Sequence, residues 1–308
     1  MNEEHNLPHV LPRIPKDVDE VILVDGNSTD RTIEVARELI PDIRIVQQEG
    51  KGKGAALRSG FAAATGDIIV MLDADGSTDP MEIPRFVNAL LAGADFVKGS
   101  RFMQGGGTSD MPFHRKLGNA TFVHMVRRLH GGKYTDLCYG YNAFWRRVVP
   151  LLELDGNGFE IETMMNIRAL RAGLTVHEVP SFEDRRIVGE GNLRTIPDGW
   201  RVLRTIFSEY RRAAAQPSVV VATSNAIAEV LVPFAVASNG ADRAVLHVNG
   251  NGNGHSNGNG HSNGNGPGHP SFGLEPHLVL AAVAESNGHA AYHAAATPPV
   301  NSQAGHDE

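Results

Sequence analysis

One stretch constrains the fold of this chain more than any other: Ile68-Ile69-Val70-Met71-Leu72, followed at once by Asp73-Ala74-Asp75-Gly76. Five apolar residues in a row predict a strand buried on both faces, as in parallel sheets. Gly76, Ser77, Asp79 and Pro80 then turn the chain into a helix expected over Asp79 to Leu91. Two carboxylates therefore sit at the carboxyl end of a core strand, where open α/β sheets bind their ligands. Alternation points one acid at the ligand and the other aside, or a local bend turns both toward one cation. Hard oxygen ligands at this spacing suit Mg²⁺ or Mn²⁺, which in turn holds a diphosphate. A strand ending in solvated Asp residues is the plain alternative, so the neighbouring segments carry the decision.

Those neighbours alternate in type. Val21 to Asp25 reads as a short buried strand, and Gly26-Asn27-Ser28-Thr29-Asp30 as a turn capping a helix that runs to about Leu39. Ile43 to Gln48 is a second strand. Gly50-Lys51-Gly52-Lys53-Gly54 is a Gly-Lys loop before a helix from Ala55 to Thr65. Asp95 to Lys98 is another strand, ending at Gly99-Ser100-Arg101. The alternation predicts a doubly wound, mostly parallel α/β sheet. A loop follows from Phe102 to Pro112, then a basic helix from Phe113 to Leu129, an extended stretch from Thr135 to Phe144, a helix from Phe159 to Ala172 and a strand from Leu174 to Val179. At the other end, Met1 to Pro8 looks like the start of a helix capped by Asn2.

Further on, Trp200, Leu203, Ile206, Phe207 and Tyr210 share a helical face, with Arg201, Arg204, Arg211 and Arg212 on the others. Two readings are open: a helix packed on the sheet with a solvated basic face, or one lying on an anionic bilayer. Beyond Ala215 the character changes. Asn249 to Gly266 is an imperfect Asn-Gly-His-Ser repeat, too polar to offset the entropy of ordering. The domains expected are thus a catalytic one over residues 1–213 and a largely disordered tail over 214–308. Eight of the 14 histidines lie in that tail and read as solvated rather than metal-bound.

Charge is uneven. Residues 1–112 carry 11 basic and 18 acidic side chains, residues 113–213 carry 16 and 11, and residues 214–308 carry 1 and 6. The middle third is the part suited to anionic groups. A total of −7 and a pI near 6.0 give no pointer to nucleic acid. Cys138 stands alone, which excludes a disulfide framework within one chain and fits a reducing cytoplasm. No apolar run of about 18 residues suggests a membrane span.

Asp25, Lys51, Lys53, Asp73, Asp75 and Arg101 all fall at or just beyond strand ends on one edge of the predicted sheet. That set offers acids for a cation or base and cations for phosphate. Asp73-Ala74-Asp75-Gly76-Ser77 also fits the nucleophile motif of haloacid-dehalogenase-like phosphatases. Those place it on the first strand and need a later acidic pair, which is missing here. A nucleotidylyltransferase needs a Gly-rich loop with an Arg after its first strand, also missing here.

As an ordered set, the motifs resemble family 2 glycosyltransferases of the GT-A fold, in the polyprenyl-phosphate (dolichol-phosphate mannose synthase-like) branch. The pieces are Asn2-Glu3, Asp25 with Ser28-Thr29-Asp30, Gly52-Lys53-Gly54, Asp73-Ala74-Asp75, Gly99-Ser100-Arg101, Asp136 to Phe144, Glu160 with Glu162, and Phe182 with Asp184-Arg185. They span residues 2–212. The resemblance implies a nucleotide-sugar donor, of GDP-mannose or UDP-glucose type, met by Asn2, Glu3, Asp25 and Lys53. It implies Mg²⁺ or Mn²⁺ on Asp73 and Asp75, and inverting transfer of a hexose to a polyprenyl phosphate. Asp75, Arg101, Arg115 and Arg185 are the expected catalytic set, the arginines binding the acceptor phosphate, with Arg186 as an adjacent candidate. Peripheral contact with the cytoplasmic membrane face is expected.

Three departures qualify the match. The common Asp-Asp-Gly-Ser turn is Asp25-Gly26-Asn27-Ser28, without the second acid. No membrane helices follow the catalytic region, so a soluble acceptor, as in glucosyl-phosphoglycerate synthase-like relatives, or a catalytically inactive scaffold, are the alternatives. The family's first strand should precede Asn2, where only Met1 stands. The expectation is an upstream natural start, and otherwise a central sheet with unpaired edges and poor stability.

Overall fold

The apolar runs pair into one seven-stranded sheet, and one of its interior strands comes from the far end of the sequence. The computed structural model describes residues 1–109, 111–189, 193–215 and 276–283. The chain divides into two units, Met1–Pro217 with Pro276–Glu308, and Ser218–Glu275; every described residue belongs to the first.

The strands are β1 (Glu20–Asp25), β2 (Arg44–Gln47), β3 (Ile68–Asp73), β4 (Phe96–Ser100), β5 (Gly107–Thr108), β6 (Asn142–Trp145), β7 (Val176–Pro180), β8 (Phe182–Glu183) and β9 (Leu278–Val283). The helices are α1 (Leu7–Val10), α2 (Thr32–Leu39), α3 (Lys53–Ala63), α4 (Ile83–Leu91), α5 (Phe113–His130), α6 (Val149–Leu152), α7 (Glu160–Arg171) and α8 (Thr195–Ala215). The main sheet runs β2-β1-β9-β3-β6-β4-β7. Its pairs are parallel except where β6 lies antiparallel between β3 and β4. Strands β5 and β8 form a small parallel ribbon beside it.

Alternation along the central strands builds two cores. Leu23, Ile68, Val70, Leu72, Leu278 and Leu280 face one side with α4 and α1. Ile22, Val24, Ile69, Met71, Val279 and Ala281 face the other with α3 and α7. This is the period-2 pattern of a sheet covered on both faces. A third cluster, with Val126, Tyr134, Leu137, Ile167 and Ile206, joins α5, α7 and α8.

Three expectations are corrected. The first concerns the tail over 214–308: within it, Leu278–Val283 form β9, parallel to β1 over Glu20–Val24 and to β3 over Ile68–Asp73. β1 and β3 therefore have no open edge toward each other. Four apolar residues, Leu278 to Ala281, are buried there, a hydrophobic run that the polar repeat before it masks in a composition average. The Asn249–Gly266 repeat lies outside the described residues.

The second concerns the amino end. The first helix opens at Leu7 rather than at Asn2, because Asn2 adopts φ 60° and braces the turn after β1. Its backbone N–H donates to Ser28 Oγ at 2.9 Å and its side-chain oxygen accepts from Thr29 N at 2.8 Å.

The third concerns α8. Val202, Thr205, Ile206 and Glu209 face inward, while Trp200, Phe207 and Tyr210 stay exposed. A buried ion pair sets that rotation: Arg168 Nη2 reaches Glu209 Oε1 at 2.6 Å, and Arg171 Nη1 reaches Glu209 Oε2 at 2.7 Å. Once buried, a carboxylate has to keep its partners, and this outranks apolar periodicity in choosing the face. No helix among the described residues is long and apolar enough to cross a membrane.

Candidate active site

Strands β1, β3 and β4 are parallel to one another, so Asp25, Asp73 and Ser100 end on one edge of the sheet. Antiparallel β6 begins on that edge, since Asn142 pairs with Met71, which delivers residues 135–141 to the same place. The edge is thus assembled from four separated stretches, as sheets of this type assemble ligand sites.

Asp25 is almost wholly buried and spends its carboxylate on its own turn. Oδ1 accepts from Ser28 Oγ at 2.5 Å and Oδ2 from Ser28 N at 3.0 Å. Glu3 is also buried; its backbone N–H donates to Thr32 Oγ1, and its carboxylate takes Asn6 Nδ2 at 2.5 Å and Arg186 Nη2. Burial raises the Glu3 pKa from its ordinary value, against the opposing pull of Asn6 and Arg186.

Lys53 forms the hub. It is 3 % exposed, with Nζ at 2.7 Å from Asp73 Oδ1 and 2.8 Å from Glu162 Oε1. The glycines around it are explained by close approach: a Cβ on Gly52 or Gly54 would lie 2.3 Å from the carbonyl oxygen of Asn157 or Gly156. Only glycine lets the start of α3 press against residues 156–158 and bring Lys53 to Glu162 at the start of α7. Gly140 closes the hub from the other side, where a Cβ would meet Lys53 Nζ at 2.9 Å and Asp73 Oδ2 and Glu162 Oε1 at 3.0 Å. Gly140→Ala is expected to push these three groups apart and, if this edge takes a nucleoside diphosphate, to weaken that binding about tenfold by titration calorimetry. A melting temperature within a few degrees of wild type would show that the effect is local.

Asp75 sits in the turn beyond β3. Oδ1 accepts from Ser77 N at 2.9 Å, and Oδ2 lies 3.5 Å from Arg186 Nη1. A segment the motif reading did not resolve covers this turn. Asp184 N donates to Ser77 O, Ile187 N donates to Asp75 O, and Ile187 packs where a Gly76 side chain would stand. Asn6 holds the same segment, accepting from Val188 N at 2.9 Å and donating to Val188 O at 3.2 Å. Arg186 thus points in, to Glu3 and Asp75. Arg185 is exposed, with Nε donating to Ser109 O at 3.4 Å. Two adjacent arginines are indistinguishable in a motif; here Arg186 turns toward Glu3 and Arg185 toward Ser109.

Arg101, expected as a phosphate ligand, is held by three segments of the chain. All three of its nitrogens are engaged: Nε and Nη2 with Asp136 at 2.6 and 2.9 Å, Nη1 with the two Glu183 oxygens at 3.0 Å, and Nη2 also with Cys138 O at 2.8 Å. It also lies over the Tyr139 ring, 4.6 Å from the centroid. These bonds make Arg101 the tie that holds residues 136–139 and β8 together. Glu178 on β7 fixes the loop from behind, accepting from Thr135 N and Asp136 N. Buried Lys98 donates to Tyr139 O at 2.8 Å, and burial lowers its pKa despite nearby Asp136, Glu162 and Glu178. Burial, with Asp136 and Glu162, pushes the Cys138 thiol up to about 12.

Beside the hub is a cavity of about 140 Å³ between α5, the start of α7 and the start of α8. Arg101, Arg115, Phe122, Phe159, Glu162 and Val202 are among its walls. Arg115 is half-buried there, and its guanidinium has no hydrogen-bond or ion-pair partner among the described residues. Arg185 is not part of the lining. Glu162 belongs both to the cavity wall and to the Lys53–Asp73 hub, a link that the paired-Glu motif hinted at without giving its partner.

No group of three or more His, Cys, Asp or Glu side chains among the described residues is arranged to hold a metal ion. Asp73 and Asp75 offer two partly exposed carboxylates, 19 % and 21 %. That donor set fits a hard cation that takes its remaining ligands from phosphate oxygens and water. Lys53 and Arg186 supply the positive charge next to them.

The model of the family described as "Glycosyl transferase family 2" matches residues 1–150. The chain is 34 % identical over 203 residues to a dolichol-phosphate mannosyltransferase of Pyrococcus furiosus, covering 63 % of this chain and 57 % of that protein. It is 34 % identical over 200 residues to the polyprenol monophosphomannose synthase of Mycolicibacterium smegmatis (60 % and 76 %), and 33 % identical over 210 residues to a dolichyl-phosphate hexose transferase of Haloferax volcanii (67 % and 88 %). The chain thus spans little more than half of the Pyrococcus protein. Among solved structures it is similar to glucosyl-3-phosphoglycerate synthase of Mycobacterium tuberculosis, in complex with phosphoglyceric acid, with a TM-score of 0.55 and 24 % identity over 71 % of this chain and 79 % of that one. With the edge geometry and the sheet order in hand, these likenesses converge: the chain belongs to glycosyl transferase family 2, in its polyprenyl-phosphate and dolichol-phosphate mannose synthase-like branch, and carries the GT-A fold.

Proposed function

We propose that this protein transfers a hexose, with inversion, from a nucleotide-sugar to a polyprenyl phosphate. The observation that carries the reading is Glu162, which joins the Lys53–Asp73 hub at the sheet edge to the half-apolar cavity holding Arg115. Donor and acceptor chemistry would then meet across one side chain. The relatives' names, with mannose and hexose transfer to dolichol and polyprenol carriers, support the same substrate classes.

In this reading Asp73 and Asp75 would hold Mg²⁺ or Mn²⁺, which would supply positive charge to offset the charge of a leaving nucleoside diphosphate. Lys53 and Glu162 keep Asp73 oriented. Asn2, Glu3 and Asp25 shape the turn that the nucleoside meets, and Arg186 adds a cation beside Asp75. The acceptor phosphate is already anionic, so it needs a cation to place it more than a base to activate it. Arg115 takes that role, with Arg185 at the outer side, while Phe122, Phe159 and Val202 exclude water and accept the first part of an apolar chain. Exposed Ile196 and Trp200 on α8 and Phe113 and Leu117 on α5 suit contact with a membrane surface.

The test is transfer with a panel of nucleotide sugars, Mn²⁺ or Mg²⁺, and a short polyprenyl phosphate. Turnover that requires both metal and lipid phosphate is the expected result, and it identifies the donor. Turnover with phosphoglycerate alone would keep the family and remove the lipid acceptor. Donor binding without any turnover would favour an inactive scaffold.

A further inference from the structure

The groove between β1 and β3 is filled by a strand that reaches it through 58 residues of a separate unit, Ser218–Glu275. The groove is shaped for its occupant. At its mouth Leu278 N donates to Asp19 Oδ2 at 2.6 Å, and His277 N donates to Asp67 Oδ2 at 3.3 Å. His277 O accepts from Asp67 N at 2.8 Å and Ile68 N at 3.1 Å, and Asp19 N donates to Leu278 O at 2.9 Å. Gly66 has no side chain where the strand passes: a Cβ there would lie 2.4 Å from Val279 Cγ2 and 2.7 Å from His277 O. Leu278 and Leu280 enter one core and Val279 and Ala281 the other.

We propose that this groove is a strand-binding site, specific for the segment Pro276–Val283, and that assembly of the edge carrying Asp25 and Asp73 depends on its being occupied. β9 is the only described strand bonded to both β1 and β3, and its end, Val283, is paired with Val24 on one side and Asp73 on the other. Take the strand away and β2-β1 is no longer bonded to β3-β6-β4-β7. The two acids would then lie on separate pieces, each with an open parallel edge. Recognition follows the general mode of strand addition, with backbone bonds for affinity and alternate side-chain sites for specificity. The dependence of donor binding on the strand rests on the function proposed above; the strand binding itself does not.

The experiment begins from the full chain with a protease sequence placed between Asn249 and Gly266, cut after purification. The two pieces are expected to co-elute and to keep the uncut melting temperature. A labelled synthetic Pro276–Val283 peptide in excess is expected to exchange into the cut protein, and the same peptide with Leu280→Asp to bind at least tenfold more weakly. In the uncut chain, Leu280→Asp is expected to lower the melting temperature and weaken UDP or GDP binding with Mn²⁺ at least tenfold, and added wild-type peptide to restore both. Gly66→Val, outside the strand, should weaken peptide binding to the cut protein in the same direction. Separation of the pieces with an unchanged melting temperature would overturn the proposal, as would a Leu280→Asp chain that melts like wild type. If neither nucleotide binds the intact wild type, the donor reading fails, while co-elution and peptide exchange still decide the strand.

Discussion

Asp75→Asn is expected to lower metal-dependent transfer by about 10²–10³-fold while leaving the fold intact. The substitution keeps the size of the side chain and an oxygen for the bond from Ser77 N, so the turn should hold. It removes the negative charge that would share the cation, and the group is partly exposed, so little packing is lost. Arg186 loses one partner and keeps Glu3. The check is turnover at the Mn²⁺ concentration that saturates the wild type, beside a thermal melt. A variant keeping a third of wild-type turnover would remove Asp75 from the metal site, and a melt more than a few degrees lower would reassign it to structure. Raising the metal concentration should recover part of the loss if affinity, rather than geometry, is the main casualty.

Asp136→Ala is expected to do the opposite, with a large effect on stability that precedes any effect on turnover. Asp136 and Arg101 are both buried, and Arg101 makes two of its five bonds to this carboxylate. Removing one partner of a buried pair typically costs about 3–5 kcal/mol, because the other charge is left in the interior. In a unit of this size that is a fall of about 10 °C or more in melting temperature. Glu183 compensates in part, since it retains its own contacts with Arg101.

The same pair has a pH signature. Burial pushes the Asp136 carboxyl up, and the Arg101 guanidinium, with Lys98, more than reverses this, so its pKa lies below the ordinary value. A carboxylate with a depressed folded pKa contributes stability above its unfolded value, about 3.9, and loses it as pH falls through the folded value. The gap in unfolding free energy between wild type and Asp136→Ala should therefore be full at pH 7 and shrink below about pH 4. Urea titrations at both ends measure it. A gap that does not change with pH would mean that Asp136 acts through packing alone.

Much of the fold was legible because its signals are local. The Ile68–Leu72 run, the turn residues after Asp25 and Asp73, and the Gly-Lys loop each report on a few adjacent residues, and each element formed near its expected place. Even the antiparallel β6 fell inside a stretch read as extended. Its direction and position between β3 and β4 were not readable, since both depend on partners 44 to 77 residues away. The candidate site divided along the same line. Asp73 and Asp75 had to end up on the ligand edge, because a strand's carboxyl end in a parallel sheet has nowhere else to go.

By itself, then, the sequence determined the element types, the edge on which the acids lie, and the family to which their order belongs. Tertiary structure decided which charges are spent. Arg101 is committed to Asp136 and Glu183, 35 and 82 residues downstream, and Arg115 is left with an unpaired guanidinium among the described residues. It turned Arg186 inward and Arg185 outward, and it rotated α8 to bury Glu209 against Arg168. It also supplied the central strand from a segment more than 200 residues beyond the strand it completes. Apolar periodicity is a property of neighbours along the chain. Which carboxylate meets which guanidinium, and which strand fills which groove, depends on desolvation and backbone pairing between distant segments, and these exist only once the chain has closed on itself.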